Sequence, residues 1–408
     1  MRFWYLIIFC LLFPAVIWAQ GTISGRIIRS DTKNPVTGAN VFLSNSSYGT
    51  STANDGTFTL RDVRPGQYTL TIAHLGLAQY TQTVLVSNEP IKINVEMTPK
   101  AIQLREVTIT THADWLRNFE QFKKEFIGTD ENAKYCEIKN PQILDFTYYK
   151  TQKVLLAAAN EFLIVDNHAL GYRVKFLIDT FRSDGISGII TYSGQKVFEE
   201  LPGKAAEKKK WEINRDSSYY GSSMHFYRSL YKDRLWEEGF EMHRYIRYLN
   251  PERPPEDVIQ MKYERFRLLG RADSANKYAQ YDRMSKYFHE TLYPEPSFVS
   301  QVLGRSSQPG IFAFAFPDCM YIVYTKKQDE TFYRDIYRPL NMVNYQTTVL
   351  SFMTKERVCF FDMNGIVVGG SVLNEGTWSK SRLSQLLPVD YQPNPENSPA
   401  KSFMIKKQ

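Results

Sequence analysis

Short, regularly spaced β-strand patterns behind residue 20 constrain the fold of this chain more than any other feature. From Gly21 to Pro99, β-branched and aromatic segments alternate with turn clusters about every 8–12 residues. The predicted strands are Thr22–Ile28, Ala39–Leu43, Gly56–Leu60, Gln67–His74, Tyr80–Val86 and Ile91–Glu96. This spacing predicts a small antiparallel β-sandwich over residues 20–99.

Two turns in this segment have a specific chemistry. Asn54-Asp55-Gly56 supplies residues that tolerate positive φ, and Arg64-Pro65-Gly66 places a φ-locked proline before a glycine. After the first turn, Phe58 and Leu60 alternate with polar residues, so one face of the strand can enter a core.

The order of sequence motifs also carries a resemblance. The motifs are Ile23-Ser24-Gly25-Arg26-Ile27, Asn34-Pro35-Val36, Gly38-Ala39-Asn40-Val41, Thr52, Asn54-Asp55-Gly56-Thr57-Phe58 and Pro65-Gly66-Gln67-Tyr68. They resemble the carboxypeptidase regulatory-like family, an Ig- or transthyretin-like β-sandwich. In that family the module stands beside zinc carboxypeptidase domains or ahead of outer-membrane receptor plugs. The resemblance therefore implies a fold and a bacterial cell-envelope setting, without a reaction.

The first nineteen residues have the layout of a secretory signal peptide. One early charge, Arg2, precedes an apolar run from Phe3 to Trp18, and cleavage is expected after Ala19. An uncleaved anchor helix is the alternative, although the run is short for a bilayer of about 30 Å. We expect export, with the mature protein in the periplasm or at the outer membrane.

Composition limits the possible partners. A chain of 408 residues with 43% hydrophobic content can form two or three domains. Its net charge of +7 is dispersed, which is a weak indication of an anionic partner such as a lipid or lipopolysaccharide surface. Export and scattered charge argue against nucleic-acid binding. We expect membrane association to be peripheral at most, and the sequence does not indicate an oligomeric state.

After the sandwich, the pattern predicts one discontinuous α+β domain over residues 130–392. Residues 100–129 are predicted to form a linker. It contains a junction strand at Leu104–Thr110 and an amphipathic helix over Asp114–Ile127. Strands are predicted over 143–201, a helical block over 204–289, and strands again from Gly310. The Pro-, Asn-, Ser- and Lys-rich tail over 393–408 is predicted to be disordered.

The larger domain also carries a resemblance, in the sequence words Ala133–Cys136, Ala169–Arg173, Tyr220–Leu230 and Leu386–Tyr391. They resemble the uncharacterised C-terminal domain that accompanies this sandwich in exported envelope proteins. That resemblance extends the fold prediction and implies no activity.

The sequence lacks the motifs of several common classes of enzyme. No His is followed by Glu three positions later, and H-E-x-x-H is absent, so a zinc peptidase is disfavoured. G-x-S-x-G and phosphate-binding glycine loops are also absent. The loops at Asn54 and Asp362 lack the later acidic ligand of a calcium loop. Cys319 and Cys359 lie in strand-like segments and can either pair or stay free. We expect no metal and no cofactor.

One group of residues stays as a candidate site. Tyr220, Met224, Tyr227, Tyr231 and Leu235 form an apolar stripe at helical spacing. The opposite face gathers the candidate binding residues Ser222, His225, Arg228 and Lys232, with Ser229 beside them. This face can bind an anion or, through a titratable imidazole, assist proton transfer. The alternative is a solvated or interdomain helix face.

Two functions remain open. The first is a non-catalytic binding or assembly module for a glycan, a peptide or another envelope protein, for which an edge strand of the sandwich is one possible contact. The second is a hydrolase acting on envelope polymers through paired carboxylates. A cleft with two carboxyl groups within about 10 Å favours the hydrolase, and a shallow aromatic face favours the binding module.

Overall fold

A computed structural model describes residues 21–100, 111–329, 336–370 and 372–399. The chain folds into two units. One runs through Phe42 and resumes over Tyr48–Lys100, and the other contains Leu43–Ser47 and the chain after Lys100. The predicted signal peptide, the junction strand at Leu104–Thr110 and the last part of the tail, 400–408, lie outside the described residues.

The first unit consists of two four-stranded sheets. Its strands are β1 Gly21–Arg29, β2 Asn40–Leu43, β3 Gly49–Ser51, β4 Thr57–Val63, β5 Gly66–Ala73, β6 Tyr80–Val86, β7 Ile91–Lys92 and β8 Val95–Met97. One sheet has the order β4-β1-β7 with β8 also on β1, and the other has the order β3-β2-β5-β6. Buried aliphatic and aromatic side chains from both sheets form the core.

The alternation predicted for β4 is present. Phe58 and Leu60 are buried and Thr57 and Thr59 are exposed. Gly56 has φ of +80°, which the turn before this strand requires. The sheets depart from the antiparallel prediction at one place, because the short strands β7 and β8 run parallel to β1.

The second unit is a mixed α+β structure. Its strands are β9 Cys136–Ile138, β10 Asp145–Tyr149, β11 Val154–Ala158, β12 Leu163–Asn167, β13 Tyr172–Asp184, β14 Ile190–Glu200, β15 Phe240–Leu249, β16 Tyr287–Pro296, β17 Leu303–Arg305, β18 Ile311–Ala315, β19 Cys319–Gln328, β20 Tyr345–Phe352, β21 Val358–Asp362, β22 Val367–Gly369 and β23 Val372–Gly376. Its helices are α1 His112–Ile127, α2 Ala205–Tyr219, α3 Ser223–Tyr231, α4 Leu235–Glu238, α5 Glu256–Leu268, α6 Ala272–Arg283, α7 Val299–Val302 and α8 Thr377–Lys380. Short 3-10 helices occupy Glu131–Tyr135, Pro141–Ile143, Leu383–Gln385 and Pro395–Asn397.

An aromatic cluster fixes α1 on the first sheet of this unit. The sheet has the order β10-β11-β13-β12-β9, with β14 also on β13. Phe122 and Phe126 are fully buried, and the ring of Phe122 lies 4.8 Å from that of Phe181 on β13. The amphipathic helix predicted over Asp114–Ile127 is therefore present, and it belongs to the core of this unit.

Two further antiparallel sheets carry the remaining strands, with orders β16-β15-β19-β20-β23 and β17-β18-β21-β22. Strands before and after helices therefore build this unit, as the predicted α+β class requires. Asp362 forms the turn into β22, because its Oδ1 accepts the N–H groups of Asn364 and Ile366, and Gly365 has φ of +81°.

The predicted helical block needs two corrections. First, it contains the strands β15 and β16, which pair with each other, and β15 also pairs with β19. Second, the apolar stripe does not lie on one helix. Gly221 and Asp233 have positive φ and separate α2, α3 and α4.

The structure also shows whether Cys319 and Cys359 form a disulfide. Cys319 lies on β19 and Cys359 on β21, in different sheets, and both are free thiols.

Candidate functional site

A cavity of about 420 Å³ opens in the second unit beside α3. It lies where the end of α2, α3, α4 and the C-terminal segment 389–398 meet. The lining residues are Tyr219, Tyr220, His225, Arg228, Ser229, Lys232, Arg234, Glu238, Gln392, Pro393, Pro395 and Ser398. Three of the four predicted binding residues are among them, and Ser222 is not.

One buried carboxylate on α2 holds the C-terminal segment that forms one wall. Asp216 accepts a hydrogen bond from the Tyr391 hydroxyl at 2.6 Å, from the Asn394 N–H at 2.9 Å and from Asn397 Nδ2 at 2.7 Å. The prediction of a disordered tail from residue 393 is therefore wrong for 393–399. A polar composition is no guide to disorder where a buried acceptor satisfies the backbone and side-chain donors.

Arg228 on α3 also binds the C-terminal segment 389–398. Its guanidinium donates to the backbone carbonyls of Asn364 at 2.9 Å, Tyr391 at 3.1 Å and Val389 at 2.7 Å. The residue is only 7% exposed, and its guanidinium lies 5.5 Å from the centre of the Tyr219 ring. Arg228 was predicted as a candidate anion-binding residue, with a solvated or interdomain helix face as the alternative. Most of its hydrogen-bonding capacity is spent on the fold, and a role in anion binding stays a prediction.

His225 forms the floor of the cavity. Its side chain is 2% exposed, Nδ1 lies 3.2 Å from the N–H of Gly221, and Nε2 lies 3.2 Å from Glu238 Oε2. An amide N–H can only donate, so Nδ1 is the acceptor and the proton is assigned to Nε2, which donates to Glu238. Both ring nitrogens are therefore already hydrogen-bonded within the protein.

The electrostatics of this pair keep the imidazole neutral. Burial lowers the pKa of His225, and the hydrogen bond from His225 lowers the pKa of Glu238. A proton-transfer role for a titratable His225, one of the two roles predicted, is not supported by this geometry. The histidine instead orients Glu238 at the cavity.

The turn before α3 is closely packed and hydrogen-bonded around Gly221. Gly221 has φ of +89°, and an added Cβ would lie 2.8 Å from the Tyr324 ring and 2.6 Å from Gln346 Oε1. The indole Nε1 of Trp378 donates to the Gly221 carbonyl at 2.8 Å. Both backbone groups of Gly221 are thus committed, one to Trp378 and one to His225.

The hydroxyls of the predicted site are used locally. Ser222 caps α3 by accepting the N–H of His225 at 3.2 Å, and Ser229 donates to the His225 carbonyl at 2.7 Å. Lys232, which follows the last residue of α3, has no ion pair or side-chain hydrogen bond with any described residue. Of the four predicted residues, Lys232 alone presents an uncommitted polar group at the cavity.

Sequence reasoning missed the aromatic and acidic part of the site. Tyr219 and Tyr220 pack edge to face at 5.4 Å, and burial raises the pKa of Tyr220 to about 12, so its hydroxyl stays protonated. Glu238 is thirteen residues from His225 and reaches it only because the chain turns between α3 and α4. The adjacent tyrosines were visible in the sequence, whereas no helical or strand period connects Glu238 with His225.

The described residues show neither a metal cluster nor a helix suited to a membrane. They contain no group of three or more His, Cys, Asp or Glu side chains placed to hold a metal ion. Within the same residues, none of the helices has the length and apolar character that crossing a bilayer requires.

Comparison with known families places the N-terminal unit. Residues 23–109 match the CarboxypepD_reg-like domain family. This chain carries a CarboxypepD_reg-like domain. The resemblance seen in the motif order from Ile23 to Tyr68 is therefore confirmed, and the CarboxypepD_reg-like domain accounts for the first unit and not for the cavity.

Solved structures give only distant likenesses. The chain is similar to the group B streptococcus pilus 2b backbone protein, with 21% identity over 20% of this chain and 41% of that chain and a TM-score of 0.17. It is similar to BcpA, the major pilin subunit of Bacillus cereus, with 17% identity over 20% of this chain and 31% of that one and a TM-score of 0.18. A DUF3823 family protein from Bacteroides ovatus shows 12% identity over 45% of this chain and 82% of its own, with a TM-score of 0.17. The chain thus spans less than half the length of these two pilins. No curated protein matches it.

Proposed function

We propose that this chain is an exported, non-catalytic binding protein whose cavity in the second unit holds a small anionic saccharide. The observation that carries the proposal is the uncommitted ammonium group of Lys232 at a cavity that Tyr219 and Tyr220 also line.

The charges of the lining favour an anion. Arg228, Lys232 and Arg234 are basic, and Glu238 is the one carboxylate among the described lining residues. Arg234 is paired with Glu237 at 2.6 Å. Glu238 keeps its negative charge beside the neutral His225 and offsets one of the two remaining cations. The charge left for a ligand is therefore positive, at Lys232, with the guanidinium of Arg228 behind it.

The shape and the neutral groups favour a saccharide. A volume of about 420 Å³ lies within the range of small-molecule sites. Tyr219 and Tyr220 supply ring surface, Pro393 and Pro395 supply apolar walls, and Gln392 supplies an amide at the rim. Rings that present an apolar face beside hydrogen-bonding groups suit the mixed apolar and hydroxyl surface of a sugar.

The hydrolase alternative has no support in this cavity. Glycoside hydrolysis by the usual route needs two carboxyl groups flanking the scissile bond, and the described lining has Glu238 alone. The neighbouring imidazole has no free nitrogen to act as a base. Binding without turnover is the better account of the same residues.

Replacing Lys232 tests the proposal. We expect wild-type protein to bind glucuronate or galacturonate more tightly than glucose or galactose in isothermal titration. Lys232→Met should weaken binding of the acidic sugar about 10- to 100-fold, because one charge-assisted hydrogen bond is lost. Lys210→Met, which changes an exposed lysine of α2, is the matched control and should bind like wild type.

Two outcomes would reject this assignment. Equal affinity for acidic and neutral sugars would remove the anionic specificity, and unchanged binding by Lys232→Met would place the ligand elsewhere. If a short peptide with a free carboxyl terminus bound in a Lys232-dependent way and no sugar did, the saccharide class would be wrong.

Export is the other part of the proposal. Its support is the apolar run from Phe3 to Trp18 followed by Ala19. The mature protein, recovered from the periplasmic or outer-membrane fraction, is expected to begin at Gln20 on N-terminal sequencing. Recovery from the cytoplasm with Met1 retained would contradict export.

A further inference from the structure

A helical hairpin inserted between β15 and β16 is separate from the cavity. Its helices α5 and α6 pack mainly on each other, with the rings of Phe266 and Tyr278 stacked at 5.8 Å. Gln260 Nε2 donates to Asp282 Oδ1 at 3.2 Å near the base. Only Ile259 on α5 and Ala275 on α6 are fully buried, so the outer side of the hairpin faces solvent.

The turn of this hairpin exposes two adjacent leucines. We call Leu268–Arg271 the hairpin tip. Leu268, the last residue of α5, is 78% exposed, and Leu269 is 59% exposed. Gly270 has φ of +65°, and no other atom lies within 4 Å of the position of an added Cβ, so the tip is convex and open. Met261 extends the exposed apolar surface along α5. Leu268 and Leu269 thus form a small exposed apolar surface at the end of the hairpin.

The charges around the hairpin tip are predominantly positive. The basic residues of this half of the hairpin are Lys262, Arg265, Arg267, Arg271 and Lys277, and the acidic ones are Glu264 and Asp273. Arg267 is paired with Glu264 at 2.9 Å. Arg265 and Arg271 are exposed, and neither has an ion pair with a described residue. Uncommitted guanidinium groups thus stand on both sides of the leucines.

We propose that the hairpin tip docks on an anionic phospholipid bilayer, with Leu268 and Leu269 entering the headgroup region and Arg265 and Arg271 against the phosphates. A convex apolar point with basic residues around it suits a planar anionic surface, whereas a protein helix or peptide needs a groove. Two leucines and a few charges give weak, reversible binding. This inference does not rest on the saccharide proposal, because none of its residues lines the cavity.

Vesicle flotation of the full chain tests the docking. We expect binding to phosphatidylcholine vesicles that contain phosphatidylglycerol, weaker binding at high ionic strength, and little binding to phosphatidylcholine alone. The double variant Leu268→Ser/Leu269→Ser should lower the partition coefficient about tenfold. Arg265→Gln/Arg271→Gln should lower it about 25-fold, since each basic residue near the surface contributes about fivefold.

Matched controls separate the hairpin tip from general surface effects. Leu75→Ser removes a leucine that is 73% exposed in the first unit, and Arg61→Gln removes an exposed arginine there. Both should bind vesicles like wild type, and circular dichroism should show every variant folded. Absence of binding to anionic vesicles at low ionic strength, or equal binding by the leucine variant, would overturn the proposal. A change in sedimentation of the tip variants without lipid would identify a contact between copies of the chain instead, and would also overturn it.

Discussion

Replacing Arg247 by methionine is expected to lower the free energy of unfolding by about 3 kcal/mol, the lower end of the range for breaking a buried ion pair. The guanidinium of Arg247, on β15, is buried and donates to Glu375 Oε1 at 2.7 Å. Its Nε lies 3.7 Å from Glu290 Oε1, an ion-pair contact, and that oxygen accepts a hydrogen bond from the Tyr245 hydroxyl at 2.6 Å. Methionine fills much of the volume but leaves two partly buried carboxylates without their cation.

The same strand supplies the control. Arg244 pairs with Asp318 at 2.7 Å, but its own side chain is 47% exposed, so Arg244→Met should cost much less stability than Arg247→Met. Urea denaturation of the two variants should give midpoints that differ clearly at similar slopes. Equal losses would show that the Arg247 cluster contributes no more than an exposed pair. Adding Glu375→Gln to Arg247→Met should recover part of the loss, because the double variant no longer buries an unpaired carboxylate.

Replacing Trp378 by alanine is expected to lower the free energy of unfolding by about 3–5 kcal/mol, as for large aromatic residues in cores. The indole of Trp378 is buried 5.3 Å from the Phe226 ring and donates to the Gly221 carbonyl. Its removal leaves both a cavity and a carbonyl without its donor. Because Gly221 also donates to His225, we expect the variant to bind the cavity ligand more weakly.

Trp236 provides a matched comparison, since it is 75% exposed on α4 next to the same site. Trp236→Ala should change stability by no more than about 0.5 kcal/mol. Trp378→Phe, which keeps an aromatic ring but removes the N–H, should lie between wild type and Trp378→Ala. Thermal unfolding followed by near-ultraviolet circular dichroism measures all three. A loss for Trp236→Ala as large as that for Trp378→Ala would contradict the role given to Trp378.

Local turn chemistry and periodicity predicted much of this fold. Asn54–Gly56 and Asp362–Gly365 reverse the chain where their residues predict, because the positive φ of a glycine and an Asx hydrogen bond act within a few residues. The helix over His112–Ile127 was equally predictable, since its aromatic spacing matches the helical repeat. Features determined by nearest neighbours in the chain are the ones that sequence reasoning recovers.

The predictions that failed depend on partners far along the chain. The sequence of β15 was predicted to belong to the helical block. It forms a strand because it pairs with β19, about eighty residues later in the chain. The tail at Asn394 is ordered because Asp216 accepts its N–H across 178 positions. The apolar stripe was assigned to one helix because its periodicity gives no sign of the break at Gly221. The positive φ of Gly221 separates α2 from α3.

In the candidate site, too, the local arrangement was predicted and the contacts with distant residues were not. The predicted residues Ser222, His225, Arg228 and Lys232 lie on or cap the single helix α3, and all except Ser222 line one cavity. Their spacing did not reveal that His225 and Arg228 are buried and already bonded, because Gly221, Glu238 and the C-terminal carbonyls come from other elements. Lys232 is therefore the residue on which the functional account depends.

A crystal structure of the protein with bound glucuronate tests that account most directly. We predict that the sugar lies in the cavity with its carboxylate within hydrogen-bonding distance of Lys232 Nζ and its ring against Tyr219 or Tyr220. A sugar bound elsewhere on the chain, or one whose carboxylate faces away from Lys232, would contradict it.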